Sequence, residues 1–165
     1  MNKPLIMVVE DEQDMANHII KTIEETGRYS TVAAKNGVEA FKLIDKNKNF
    51  LGLAENNIKC IILDLKMPEM NGVQFINKLR KNEGAFKLTP VIVLTAYEDV
   101  DKWTGTTNPN DGLAADYLKK PFKEQELIDD IDRIFRGESG YMIDSTRDQT
   151  YDKVVEAMKN DKEGD

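Results

Sequence analysis

Two hydrophobic rhythms alternate along the chain. Short unbroken apolar runs recur at Leu5–Val9, Tyr29–Ala34, Cys60–Leu63, Val91–Leu94 and Ala115–Leu118. Apolar runs of this length, rich in β-branched residues and bounded by polar or turn-forming residues, read as buried strands. Between them the apolar positions take helical spacing. Met15, Ala16, Ile19, Ile20 and Ile23 mark a helix from Gln13 to about Thr26, closed by Gly27. Ala40, Phe41 and Ile44 share a face after the Asn36-Gly37 turn. Asn71 is a good N-cap for a helix running to about Asn82, with Val73, Ile76 and Leu79 toward the core. Leu127, Ile128, Ile131, Ile134 and Phe135 stripe a helix over Glu124–Phe135. Strand followed by helix, five times over, predicts an α/β fold with a parallel sheet and helices on both faces. Right-handed crossovers then place every strand's carboxyl end on one edge.

Three stretches are less regular. Asn47–Asn57 has polar ends around Phe50-Leu51-Gly52-Leu53 and reads as a helix extension or a long loop. Glu98–Trp103 starts a helical pattern that Gly105, Asn108, Pro109 and Gly112 interrupt. In the tail, Ser145-Thr146-Arg147-Asp148 resembles a capping box. Tyr151, Val154, Val155 and Met158 follow at i, i+3, i+4 and i+7, which predicts one last short amphipathic helix. The favoured reading packs it on its own domain; the alternative is a docking or dimerisation helix. The division expected is residues 1–136 as the folded domain and 137–165 as an acidic extension.

Composition narrows the functions. With 165 residues and 40% apolar content, one ordinary core is within reach. A net charge of −7 and a pI near 4.9 argue against broad nucleic-acid or anionic-membrane binding. Of that charge, −4 lies in the last 29 residues, a segment too small for a DNA-binding or catalytic output domain. The single cysteine, Cys60, excludes an internal disulfide, falls in an apolar strand and suits a reducing compartment. The chain enters its first strand without a signal-like segment, and no apolar run approaches a membrane span. A soluble, cytoplasmic protein is expected.

The candidate chemistry lies where strands stop. The first strand ends at Glu10 and Asp11, the third at Asp64, the fourth at Thr95 and the fifth runs on to Lys120. Pro68 forbids the third strand from continuing. Open α/β sheets do their chemistry at this edge. Three carboxylates in one cleft repel unless a cation sits among them. Oxygen-only ligands favour a hard divalent ion such as Mg²⁺, which keeps waters and takes few protein carboxylates. Lys120 offers a mobile positive charge, and the Thr95 hydroxyl one more donor, for phosphoryl oxygens. Positioning plus charge stabilisation is most of what phosphoryl transfer requires. Asp64 is therefore the candidate nucleophile that accepts a phosphoryl group.

Four motifs stand in order at these strand ends: Val8-Val9-Glu10-Asp11-Glu12, Leu63-Asp64-Leu65-Lys66-Met67-Pro68-Glu69-Met70-Asn71-Gly72, Leu94-Thr95-Ala96 and Lys119-Lys120-Pro121-Phe122. Together they resemble the two-component response-regulator receiver domain over residues 5 to 136. The resemblance implies a flavodoxin-like, doubly wound sheet in the order 2-1-3-4-5. It implies Asp64 as the modified residue and Mg²⁺ held by Asp11, Asp64 and the Lys66 backbone carbonyl, with Glu10 helping through water. It further implies Thr95 and Tyr117 as a switch pair and a cis bond before Pro121. The expected donor is a sensor histidine kinase or a histidine phosphotransfer protein. A stand-alone receiver would signal through a protein contact, with no DNA or membrane partner, as a monomer or weak dimer. No catalysis is expected beyond phosphorylation and dephosphorylation of Asp64 itself.

The chain departs from the family pattern at the first acid (Glu10 where Asp is more usual), in longer spans at Asn47–Asn57 and between Thr95 and Lys120, and in the tail. By resemblance, Lys66 and Tyr97 border the path of the hydrolytic water, and their bulk predicts a long-lived phosphoryl state. Two other classes compete. A haloacid-dehalogenase-like phosphohydrolase also uses an Asp nucleophile with Mg²⁺, but it needs an acid where Asp64-Leu65-Lys66 has lysine. A degenerate receiver that only binds partners conflicts with the presence of Asp64, Thr95 and Lys120. No Gly-rich loop follows the first strand, so nucleotide binding is set aside. His18 reads as a surface residue, and Trp103 has no assigned place.

Overall fold

The computed structural model describes residues 3–46, 57–83, 88–96 and 114–144. Its elements are β1 (Leu5–Val9), α1 (Gln13–Glu25), β2 (Ser30–Ala34), α2 (Gly37–Lys46), β3 (Ile58–Asp64), α3 (Gly72–Asn82), β4 (Val91–Thr95), β5 (Asp116–Lys119) and α4 (Glu124–Arg133). Residues Ile134–Glu138 follow α4 and are kinked at Gly137, whose backbone is not helical. The strands form one parallel sheet in the order β2-β1-β3-β4-β5. The expected fold class and strand order hold.

Alternation of side chains across the pleat sorts the core into two layers. Ile6, Val8, Cys60, Ile62, Ile92 and Leu94 face one way, onto Ile19 and Ile23 of α1 and Leu127 and Ile131 of α4. Met7, Val9, Ile61, Leu63, Val91 and Val93 face the other, onto Ala40 and Ile44 of α2 and Phe75, Ile76 and Leu79 of α3. Cys60 is wholly buried, as expected, and burial pushes its thiol up to about 12.

Three details differ from the periodicity reading. β3 is longer than expected and includes Asp64, which is its last residue. In α3 the buried stripe is Gly72, Phe75, Ile76 and Leu79, spaced i, i+3, i+4 and i+7, so Val73 flanks the stripe and is only half-buried. Phe75 meets Phe41 of α2 at 4.9 Å between ring centroids, which ties the two helices together. Burial also continues beyond Arg136: the chain turns at Gly137, where φ is +89°, and Met142 and Ile143 enter the α1/α4 layer. Only glycine takes that conformation without steric cost. The predicted elements at Glu98–Trp103 and Tyr151–Met158 and the 47–56 stretch, like Tyr97 and Trp103, lie outside the described residues. Among the described residues no helix is long and apolar enough to cross a membrane.

Candidate functional site

Backbone bonds at the carboxyl edge of the sheet fix where the candidate side chains emerge. Val9 pairs with Leu63, Asp64 with Leu94 and Thr95 with Lys119. One step further on, Glu10 N donates to Ala34 O at 3.0 Å and Lys120 N to Thr95 O at 2.8 Å. The ladders therefore bring Glu10, Asp64 and Lys120 to one edge of the sheet, although they lie far apart in sequence. The Lys120–Pro121 bond is cis.

Glu10, Asp11 and Asp64 each bring a carboxylate oxygen within 4.8 Å of the others. Glu10 and Asp64 are buried, while Asp11 is exposed at the rim. Lys120 Nζ lies 2.8 Å from Glu10 Oε2 and 3.3 Å from Asp64 Oδ1. Three negative charges thus face one positive charge among the described residues. Burial raises the Glu10 pKa, an effect that the hydrogen bond from Lys120 only partly offsets, and the Asp64 charge raises it further. Burial works against the Lys120 ammonium, but the Glu10 hydrogen bond and the Asp64 charge outweigh it and hold its pKa above the ordinary value.

An acidic pocket with a charge deficit suits a hard cation. The donors are all oxygens, two of the three carboxylates have lost most of their water, and one ammonium cannot neutralise them. These residues fit Mg²⁺. Glu10 lies closest to the lysine among the three carboxylates. Its two oxygens are already engaged, Oε1 accepting from Glu12 N at 3.3 Å and Oε2 from Lys120. The longer arm of glutamate over aspartate takes it to the lysine.

Thr95 is buried at the end of β4, and its hydroxyl donates to the carbonyl of its neighbour Ala96 at 2.9 Å. Tyr117 opposes Val93 and packs against the α2/α3 layer, where burial raises its phenol pKa. Lys66 projects from the loop after Asp64 and is exposed. His18 is half-exposed with Nε2 3.4 Å from Glu124 Oε1, away from the cluster. Glycine at 72 was legible only as part of a motif, yet a Cβ there would lie 2.6 Å from Asp64 O and 2.8 Å from Leu65 Cα. The signal for it was a glycine placed directly after a helix N-cap, where a helix gains nothing from one. A cavity of about 1030 Å³ lies elsewhere, near Lys3, Pro4, Pro90 and Phe135 at the opposite edge.

Comparison with known proteins decides the family. Residues 6–132 match the family model described as the response regulator receiver domain. The chain belongs to this family. Receivers are signalling modules of two-component systems that work through phosphorylation and are generally non-enzymatic. Receivers bind Mg²⁺ in an acidic pocket and take their phosphoryl group from histidine kinases or phosphotransfer proteins. Among curated proteins it is 31% identical over 150 residues to the transcriptional regulatory protein SrrA of Staphylococcus aureus, covering 90% of this chain and 55% of that one. The chain thus spans about half the length of the curated relatives it matches. A putative response regulator from Chloroflexus aurantiacus is 27% identical with a TM-score of 0.64, over 81% of this chain and 98% of that one. The receiver domain protein from Clostridium thermocellum is 25% identical with a TM-score of 0.65, over 81% and 95%. Chemotaxis protein CheY4 of Vibrio cholerae shares the fold, with a TM-score of 0.60 at 24% identity over 80% and 98%.

Proposed function

We propose that Asp64 is the phosphoacceptor of this receiver, with Lys120 and Thr95 as the side chains that meet the phosphoryl oxygens. The observation that carries this reading is the Lys120 ammonium held 3.3 Å from Asp64 Oδ1 inside an acidic pocket. The donor is a phosphohistidine of a sensor kinase or a phosphotransfer protein. A carboxylate oxygen of Asp64 attacks phosphorus, the P–N bond of the phosphohistidine breaks, and the imidazole keeps the electron pair. Asp11, Asp64 and the Lys66 carbonyl would hold Mg²⁺, with Glu10 reaching it through water. Bound there, the ion supplies the positive charge that offsets the pocket's carboxylates and the incoming phosphoryl group. Lys120 exchanges its Glu10 and Asp64 contacts for a phosphoryl oxygen, and the Thr95 hydroxyl turns from Ala96 O toward another.

That turn of Thr95 vacates space beside β5, and Tyr117 moves with it, shifting a two-state surface read by a downstream protein. Residues 1–165 signal through that protein contact rather than through DNA or a membrane, as a monomer or weak dimer in the cytoplasm. The bulk of Lys66, two residues beyond Asp64, and of Tyr97, two residues beyond Thr95, lengthens the life of the phosphoryl state. Mg²⁺-dependent labelling with a small phosphodonor tests the reading. The wild-type chain takes label and stops at one phosphoryl group, and Asp64→Asn takes none. Label that persists in Asp64→Asn would refute it.

A further inference from the structure

We infer that the amino-terminal corner of α2, Asn36-Gly37, positions the loop that follows the phosphoacceptor. The geometry stands by itself, and its consequence for phosphorylation rests on the reading of Asp64 above. The loop Leu65–Asn71 joins β3 to α3, and its near end is pinned against the strand. Gly72 N donates to Leu65 O at 3.0 Å, and the contact is so close that no Cβ fits between Gly72 and the Asp64 carbonyl. Leu65 and Met67 point inward and are buried, leaving Lys66 and Pro68 exposed between them.

The far end of the loop is held by α2. Glu69 has a left-handed backbone, φ 66°, which a residue with a Cβ adopts only when its surroundings impose it. Met70 N donates to Pro68 O at 2.7 Å across this turn. Asn36 is 5% exposed and serves both sides of the corner. Its Oδ1 accepts from Glu39 N at 2.8 Å, capping α2, and its Nδ2 donates to Glu69 Oε1 at 3.3 Å. The Met70 side chain lies directly on Gly37. A Cβ at residue 37 would stand 2.8 Å from Met70 Sδ, 2.9 Å from Cγ and 3.1 Å from Cβ. α2 is itself fixed to the sheet through Ala40 and Ile44 and to α3 through Phe41. The loop is thus stretched between two glycine contacts, one beneath Asp64 and one on α2.

Neither Gly37, Met70 nor Asn36 touches the reacting atoms; they are positioning residues. Moving Met70 moves Glu69 and, through the buried Met67, the Lys66 backbone beside Asp64. Size complementarity gives the test. In Gly37→Ala the new methyl group displaces Met70, and the labelling rate of Asp64 with a small phosphodonor is expected to fall about fivefold and to need more Mg²⁺. Met70→Ala in the same chain removes the obstruction, and the double variant recovers to within about twofold of the wild type. Amide hydrogen exchange without any phosphodonor supplies the second readout. Exchange at Met70 and Gly72 quickens in Gly37→Ala and slows again in the double variant. If the two substitutions acted independently of this contact, their effects would add rather than cancel. Unchanged exchange and labelling in Gly37→Ala, or a double variant no better than the single, overturns the inference. In a chain that takes no label at all, the phosphoacceptor reading falls while the exchange comparison still decides the role of the corner.

Discussion

At the carboxyl edge of the sheet, three carboxylates cluster and two of them share one ammonium. At the opposite edge, a single carboxylate receives everything it needs. Asp132 on α4 accepts from Arg28 Nη1 at 2.6 and 2.7 Å and from the Tyr29 hydroxyl at 2.6 Å. Tyr29 in turn stacks on Phe135, with ring centroids 4.9 Å apart. Burial works against the Asp132 charge, but Tyr29 and Arg28 prevail and hold its pKa below the ordinary value. Both clusters join residues more than a hundred positions apart, and both anchor the last helix or strand to the start of the chain. The difference is that one is electrically satisfied and the other is not. An unsatisfied cluster costs stability, which is the usual mark of a group kept for chemistry.

The contrast breaks most sharply at Asp64. Asp64→Asn loses all labelling, and without Mg²⁺ it is expected to unfold about 1 kcal/mol later than the wild type, because one like charge has left a buried site. Denaturant titration with and without Mg²⁺ reads this, and a destabilised Asp64→Asn in metal-free buffer would count against the charge-deficit account. Gly72→Ala comes next. Its Cβ would press closest on backbone, the Asp64 carbonyl and Leu65 Cα, so about 1–3 kcal/mol of stability is lost, together with about tenfold in labelling rate.

A third acid sharpens the comparison by titration. Asp130 is buried between α4 and β5, and burial together with Asp116 raises its pKa to about 6, against the partial relief that Arg133 gives at 3.4 Å. Its folded pKa exceeds its unfolded one, so the unfolded chain releases this proton first. Stability from this group is therefore fully present below about pH 4 and is lost as pH rises to about 6. Asp130→Asn is expected to flatten that part of the stability profile and to gain about 1–2 kcal/mol at pH 7, read by urea unfolding. The smallest effect belongs to the satisfied cluster. Tyr29→Phe deletes one hydrogen bond to Asp132 and is expected to cost about 0.5–1.5 kcal/mol while labelling proceeds as in the wild type. A labelling defect there would erase the distinction between the two edges.

How much of this was visible in the residues follows from what periodicity can see. Strand ends announce themselves by a polar residue after an apolar run, so Glu10, Asp11, Asp64, Thr95 and Lys120 stood out together, and the parallel topology brought their strand ends to one edge. Helical spacing located α3 and the Ile76 and Leu79 positions of its stripe but missed Phe75, since Val73 and Phe75 both satisfy part of the pattern and packing on Phe41 favours the latter. Met142 and Ile143 stayed hidden because a glycine turn resets the helical phase before them. Which partner each charge takes was least legible. Glu10 was expected to help a metal, and its nearest partner is Lys120, 110 residues away. The same holds for Asp130 with Asp116, whose shared environment depends on the register of β5 against α4.

The central claim concerns one covalent bond, and reduction chemistry reads it directly. After exposure of the full chain to a small phosphodonor with Mg²⁺, borohydride converts an aspartyl phosphate to homoserine, which peptide mass spectrometry then locates. The account predicts homoserine at position 64 and at no other acid. Homoserine at position 11, its one-carbon-longer homologue 2-amino-5-hydroxypentanoic acid at position 10, or an unreduced chain that nonetheless carries stable phosphate elsewhere, would contradict it.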